Sequence, residues 1–151
     1  MRIVATNRKA HHLYNIESAF EAGIVLVGCE VKSVKASKIS LVDSYARIES
    51  DEVFLYNMHI NPYEKRNGFS RQNPRRKRKL LLKKQEIRKL TGKILERGYT
   101  LIPLRVYVSD RGIVKIELGL AKGKRKFEKR QAIKERDIRR ELERVKKEIS
   151  K

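Results

Sequence analysis

The sequence predicts a mainly β fold with flanking helices, ending in a basic C-terminal tail. Three observations predict it. Leu104, Val106 and Val108, then Val114, Ile116, Leu118 and Leu120, alternate with other residues on the two sides of the turn Ser109-Asp110-Arg111-Gly112. Period two on both sides of a glycine-containing turn is a β-hairpin signature. Leu82, Ile87, Leu90, Ile94 and Leu95 recur at helical spacing ahead of that hairpin, and from Gln131 onward the chain holds neither proline nor glycine.

In chain order, Ile16–Ala22 reads as a short helix that Gly23 ends. Ile24–Val34 reads as a strand, with Val25, Val27, Cys29 and Val31 on one face and Glu30 and Lys32 on the other. Ser44–Ile48 and Val53–Ile60 read as a second hairpin about the polar turn Glu49-Ser50-Asp51-Glu52. The 82–95 helix follows, closed by the cation Arg97 and by Gly98. Pro103 lies near the start of its run, which suits a strand entrance or an edge. Antiparallel strands with a helix between two hairpins form a small closed or nearly closed barrel, of the kind that includes the OB fold.

The tail has a helical design. Ile138, Leu142, Val145 and Ile149 form one stripe, while Arg136, Arg140, Arg144, Lys147 and Lys151 form another on nearly the opposite side. The apolar stripe is narrow, and an unsupported helix of this length is marginal in water. Residues 1–121 therefore read as the barrel. Residues 122–151 read as a tail disordered when free and helical when bound.

Composition limits the partner. The 151 residues fit one domain with an appendage, and 38 Lys+Arg against 18 Asp+Glu give a formal net charge of +20. Self-repulsion on that scale answers to a polyanion. The longest mainly apolar run, Gly23–Cys29, is too short to span a membrane, and the first residues lack the apolar core of a signal peptide. One cysteine forms no internal disulfide and suits a reducing compartment. A cytoplasmic nucleic-acid binder, monomeric when free, is the expectation.

Catalytic patterns are sparse. No H-E-x-x-H, C-x-x-C or G-x-x-x-x-G-K-[ST] occurs, and the neighbours His11 and His12 diverge in a strand or a helix alike. Asp43-Ser44 reads as a turn opening a strand rather than as a nucleophilic pair. No metal, cofactor or catalytic residue is expected.

Binding chemistry is plentiful. Arg75-Arg76-Lys77-Arg78-Lys79 is a run of cations able to neutralise phosphates, or else a solvated loop; Arg76 and Arg78 are its candidate contacts. The following Leu80-Leu81-Leu82 cannot all point inward. Asn7-Arg8-Lys9-Ala10-His11-His12-Leu13-Tyr14 mixes amides, cations and rings that suit phosphate and unpaired bases, although Tyr14 also suits a core. Glu21 reads either as a solvated glutamate or as an acceptor for base amino and 2′-hydroxyl groups, a role closed to Lys and Arg.

In combination these pieces resemble the small protein B family of SsrA-binding proteins, partners of transfer-messenger RNA in bacterial ribosome rescue. The matching segments are NRKAHHLY (7–14), FEAGIVLVGCEVKSV (20–34), DSYARI (43–48), HINPY (59–63), RKLLL (78–82), GYTLIPLRVY (98–107), AKGKRKFEKR (121–130) and IKERD (133–137). The resemblance implies an OB-like barrel without catalysis that binds the tRNA-like domain of transfer-messenger RNA. Positions matching the family's RNA contacts are Asn7, His12, Glu21 and Leu81; charge and position add Arg8, Lys9 and Lys32. It also implies a tail that enters the decoding centre and the empty messenger channel of a stalled ribosome and folds there as a helix. Its candidate ribosomal contacts are Gly123, Lys124, Arg125, Lys126, Phe127, Glu128, Lys129, Arg130, Lys134, Arg136 and Arg140, with Gly123 allowing a bend and Phe127 stacking on a base. Asn67–Asn73 matches poorly and reads as a disordered loop, and two further departures stand out. Glu128 replaces the aspartate the family usually has in D-K-R, and Lys35-Ala36-Ser37 lacks the glycine that often ends its motif. The alternative is another RNA-binding translation protein, a basic ribosomal protein or an OB-fold factor, with an RNA-modifying enzyme third.

Overall fold

The computed structural model describes residues 1–62, 73–124 and 126–149. Nine strands and four helices occur among them: β1 (Arg2–Thr6), α1 (Ala10–Leu13), β2 (Tyr14–Ile24), α2 (Gly28–Lys35), β3 (Ile39–Ser40), β4 (Tyr45–Glu49), β5 (Glu52–Tyr56), β6 (His59–Ile60), β7 (Arg78–Leu81), α3 (Lys84–Arg97), β8 (Thr100–Val108), β9 (Val114–Gly123) and α4 (Lys126–Ile149). Seven strands pair in the order β1-β8-β4-β5-β7-β2-β9, and β8 also pairs with β9. That last pairing joins β9 back to β8, so β8, β4, β5, β7, β2 and β9 form a closed antiparallel ring, with β1 added outside it on β8. Closure leaves those strands no bare edge to template aggregation. β3 and β6 make a separate two-stranded ribbon.

Both hairpins form where the alternation put them. In the first, Ser50 and Asp51 have φ of 50° and 60°, the left-handed pair that matches the twist of the flanking strands. Its second strand is shorter than expected: β5 stops at Tyr56, Asn57 turns the chain with φ 64°, and His59–Ile60 joins β3 instead. Inside the ring, Val53, Leu55, Leu80, Leu101, Val106, Ile116 and Leu118 are fully buried, and α3 adds Leu90 and Ile87. Gly98 ends α3 in the left-handed conformation, φ 66°.

Two elements exchange roles relative to the sequence reading. Ile16–Ala22 is strand, not helix, and 28–35 is helix, not strand. Along β2 the burial alternates from Tyr14 to Ala22, and pairing with β9 from Tyr14↔Gly123 to Gly23↔Lys115 supplies its backbone partners. A bulge between Ile16 and Ser18 swaps the faces partway, which blurs the sequence signal. In α2 the buried residues are Glu30, Ser33 and Val34, a helical spacing. The Glu30 carboxylate accepts the Val27 N–H at 3.1 Å, closing the first turn. After α2, Ser37 takes φ 60°, in the left-handed region that favours glycine.

Pro103 is not at an edge. It is buried within β8 opposite Leu118, at a bulge between Pro103 and Arg105 that accommodates a residue without an N–H. The tail forms the helix α4. Every side chain from Arg136 to Lys147 is exposed, Ile138 and Leu142 at 59% and Val145 at 49%.

Candidate nucleic-acid interface

The outer faces of β8, β9 and β2 carry the chemistry. With Ile116 and Leu118 turned to the core, Lys115, Glu117, Gly119 and Ala121 point outward. α1 covers one end of this face, packing Ala10 on Ile102, Leu104 and Ala121. The approach is close at Gly119, where an added Cβ would lie 3.0 Å from Leu104 Cδ1. Beyond α1, cross-strand register aligns Arg105, Glu117 and Glu21 in one rung, and Tyr107, Lys115, Gly23 and Leu81 in the next.

Glu21 and Glu117 are directly opposite each other, a pairing that repels unless each charge is answered. Arg105 Nε donates to Glu117. Glu21 receives the Tyr107 hydroxyl on Oε2 and Lys115 Nζ on Oε1, the latter at 2.7 Å. The hydrogen bonds from Lys115 and then Tyr107 hold the Glu21 carboxyl below its ordinary pKa of 4.5. Burial and the hydrogen bond to Glu21 push the Tyr107 phenol up to about 12. Glu21 is thus an anion with a neutral donor on one oxygen and a cation on the other. Its side chain remains 56% exposed.

The structure gathers most residues that the resemblance marks. Glu21 and Leu81 occupy adjoining rungs; an added Cβ on Gly23 would stand 3.3 Å from Leu81 Cβ, so glycine lets the Leu81 side chain lie close against β2. Leu81 is 52% exposed between the buried Leu80 and the half-buried Leu82. Asn7 anchors the entry to α1, its N–H donating to Leu104 O at 2.8 Å and its Nδ2 to Pro103 O at 3.0 Å. Arg8 and Lys9 follow it, exposed, and His12 lies half-buried in α1. His11, Ala19, Glu117 and Lys124 line a groove of about 500 Å³ that connects α1 to the charged rung. Lys32 is exposed on α2, which packs against β6 rather than on this face.

The run 75–79 does not act as a unit. Arg78 is 1% exposed, so it cannot meet a phosphate. Its Nε donates to Glu30 Oε2 at 2.7 Å, and its other nitrogens donate to Met58 O at 2.7 Å and Pro74 O at 3.0 Å. Arg76 donates to the other Glu30 oxygen and is only 25% exposed. Lys77 pairs with Glu49 at 3.3 Å and lies 4.4 Å from the Phe54 ring centroid, while Lys79 pairs with Glu52 at 3.4 Å. Arg75 is exposed. The expectation that Arg76 and Arg78 grip phosphate is therefore corrected: a buried carboxylate holds both. Burial opposes ionisation of Glu30, but hydrogen bonds from Arg76, Val27 and Arg78 prevail and keep its carboxyl below 4.5.

At the barrel's exit, Gly123 remains in β9 opposite Tyr14. Lys124 donates its N–H to Leu13 O and its Nζ to His11 O, both at 3.0 Å. Arg136 and Arg140 are exposed on α4. Residues 67–72, Arg125 and the side chains of Lys126, Phe127, Glu128, Lys129, Arg130 and Lys134 lie outside the described residues. Tyr107, Lys115, Arg105 and Glu117 are the residues that sequence reasoning missed. Their outward positions in the hairpin were visible, but their link to Glu21 depends on the β2–β9 register. No helix among the described residues is long and apolar enough to cross a membrane.

Comparison with known proteins follows this geometry. Residues 4–148 match the family described as SmpB protein. The chain is 57% identical over 148 residues to the SsrA-binding protein of Caldanaerobacter subterraneus subsp. tengcongensis, covering 98% of this chain and 92% of that one. It is 50% identical over 150 residues to the SsrA-binding protein of Geobacillus kaustophilus, covering 99% and 96%. A solved structure described as "tmRNA-SmpB: a journey to the center of the bacterial ribosome" superposes with a TM-score of 0.68 at 47% identity, covering 85% of this chain and 93% of that one.

Proposed function

The chain belongs to the SmpB protein family, and from that premise we propose that it is an RNA-binding adaptor without catalytic activity. It binds the tRNA-like domain of transfer-messenger RNA and delivers it to stalled ribosomes for trans-translation, in the cytoplasm. One structural observation supports the reading most: Glu21 and Leu81 adjoin on a single outer face, and α1, which bears His12, packs on that same face. A basic protein that bound RNA by charge alone would have no use for an acidic rung at the centre of its binding surface.

Residues 1–121 form the RNA-binding barrel, and 122–151 form the tail that enters the decoding centre and the messenger channel. The last strand pairs, at Lys122 and Gly123, tie the start of the tail to the barrel. Ile138, Leu142 and Val145 bury nothing against the body, and a helix without packing is marginal. Contact with ribosomal RNA completes its order. Amide exchange at Ile138–Val145 is accordingly expected to be fast in the free protein and slowed on ribosomes. Strong protection in the free protein would remove the fold-on-binding reading.

A salt-series titration against the tRNA-like domain and against an ordinary tRNA tests the whole proposal. The expected result is a clear preference for the former at near-physiological salt, with similar salt slopes for both. Equal affinities and equal slopes would leave only phosphate neutralisation. The ribosomal-protein alternative would then stand ahead.

A further inference from the structure

The binding reading names Glu21 but does not say what aims it. Glutamate on a strand has three rotatable bonds, and an exposed carboxylate samples many positions. On this chain two residues restrain it. Tyr107, a rigid side chain only 7% exposed, brings its hydroxyl to Oε2; Lys115 brings its ammonium to Oε1 at 2.7 Å. Tyr107 is positioned from β8, across the full width of β9, because Arg105 and Tyr107 take outward positions after the bulge at Pro103. An ionised carboxylate has about four acceptor sites on two oxygens. The tyrosine and the lysine take one on each oxygen, leaving each oxygen a further acceptor site on a side chain that is 56% exposed.

We infer that Tyr107 is a specificity-determining positioning residue, its hydroxyl fixing the Glu21 carboxylate so that the remaining lone pairs accept from amino or 2′-hydroxyl groups of the bound RNA. The inference rests on the RNA-binding reading above and deepens it. The choice of donor matters. A second cation in place of the tyrosine would itself attract phosphate anywhere on the RNA, whereas a phenol that stays protonated orients the anion without attracting phosphate. At the Glu21 carboxylate, whose charge Lys115 already answers, a hydrogen-bond donor finds an acceptor and a phosphate oxygen finds nothing to donate to it. The carboxylate therefore accepts from a base amino group or ribose hydroxyl and offers nothing to a phosphate oxygen.

Tyr107→Phe removes one oxygen, changes no charge at working pH and keeps the ring. Full-length protein carrying it, titrated against the tRNA-like domain and ordinary tRNA over a salt series, is expected to lose about tenfold in affinity for the former. Affinity for tRNA and both salt slopes are expected to stay unchanged. Glu21→Ala supplies the decisive background, since there Tyr107→Phe should have no further effect. A merely structural tyrosine would weaken binding equally in both backgrounds, and that outcome, or an unaltered preference in the single variant, overturns the inference while the adaptor reading stands. If the unaltered protein itself shows no preference between the two RNAs, the adaptor reading falls and takes the inference with it.

Discussion

Ending the chain after Lys124 is expected to leave binding to the tRNA-like domain within a few fold of the full-length protein at near-physiological salt and to abolish rescue of stalled ribosomes. The cut site follows from the structure. Lys122 and Gly123 complete the β2–β9 ladder, and Lys124 closes it with hydrogen bonds to Leu13 O and His11 O. A cut at residue 121 would remove these pairs and confound loss of the tail with damage beneath α1. Beyond Lys124 the described side chains of α4 from Arg136 to Lys147 are all exposed, so their removal opens no core. The measurement pairs RNA titration with a peptide-tagging assay on ribosomes halted on truncated messenger. Loss of both activities, with thermal unfolding unchanged, would show that barrel and tail do not divide the work.

Glu30→Ala is expected to destabilise the fold by about 3–5 kcal/mol, a large share of the roughly 5–15 kcal/mol that holds a domain together. The reason is what remains. Arg78 would keep its charge at 1% exposure with only the Met58 and Pro74 carbonyls around it, and Arg76 would lose its carboxylate too. Replacing Glu30 and Arg78 together by methionine should recover much of the loss, since a paired apolar replacement strands less charge. Acid adds a signature. The folded-state pKa of Glu30 lies below its ordinary 4.5, so its contribution is complete above that value and is lost as pH falls through the folded value. The stability gap between the native protein and Glu30→Gln should therefore be wide at neutral pH and narrow towards pH 3. Urea unfolding midpoints at both pH values read it, and a gap independent of pH would deny Glu30 this role.

The two arginines that Glu30 holds look like their neighbours in the sequence. Arg76 and Arg78 stand in an unbroken cationic run, and nothing local separates them from Arg75. Only the arrival of Glu30, from a helix 48 positions earlier in the chain, converts Arg78 from a surface charge into part of the interior. Glu21 presents the converse. In the sequence it reads equally as a solvated glutamate or as an acceptor, and its partners come from positions 86 and 94 residues away.

The sequence alone determined what depends on near neighbours. Alternation about residues 109–112 and 49–52 specified both hairpins, helical spacing from Ile87 to Leu95 with Gly98 specified α3, and net charge specified a polyanionic partner. Motif order along the chain identified the family. Tertiary structure decided the elements whose local preference is weak or misleading. Small residues at Ser18, Ala19 and Ala22 suit a helix, yet pairing to β9 makes them strand; valines at 27, 31 and 34 suit a strand, yet burial of Glu30, Ser33 and Val34 on one side makes them helix. The binding face was decided in the same way. Its rungs are registers between strands distant in the chain, and such registers are set by which side chains the closed ring must bury, a condition that no short stretch of sequence contains.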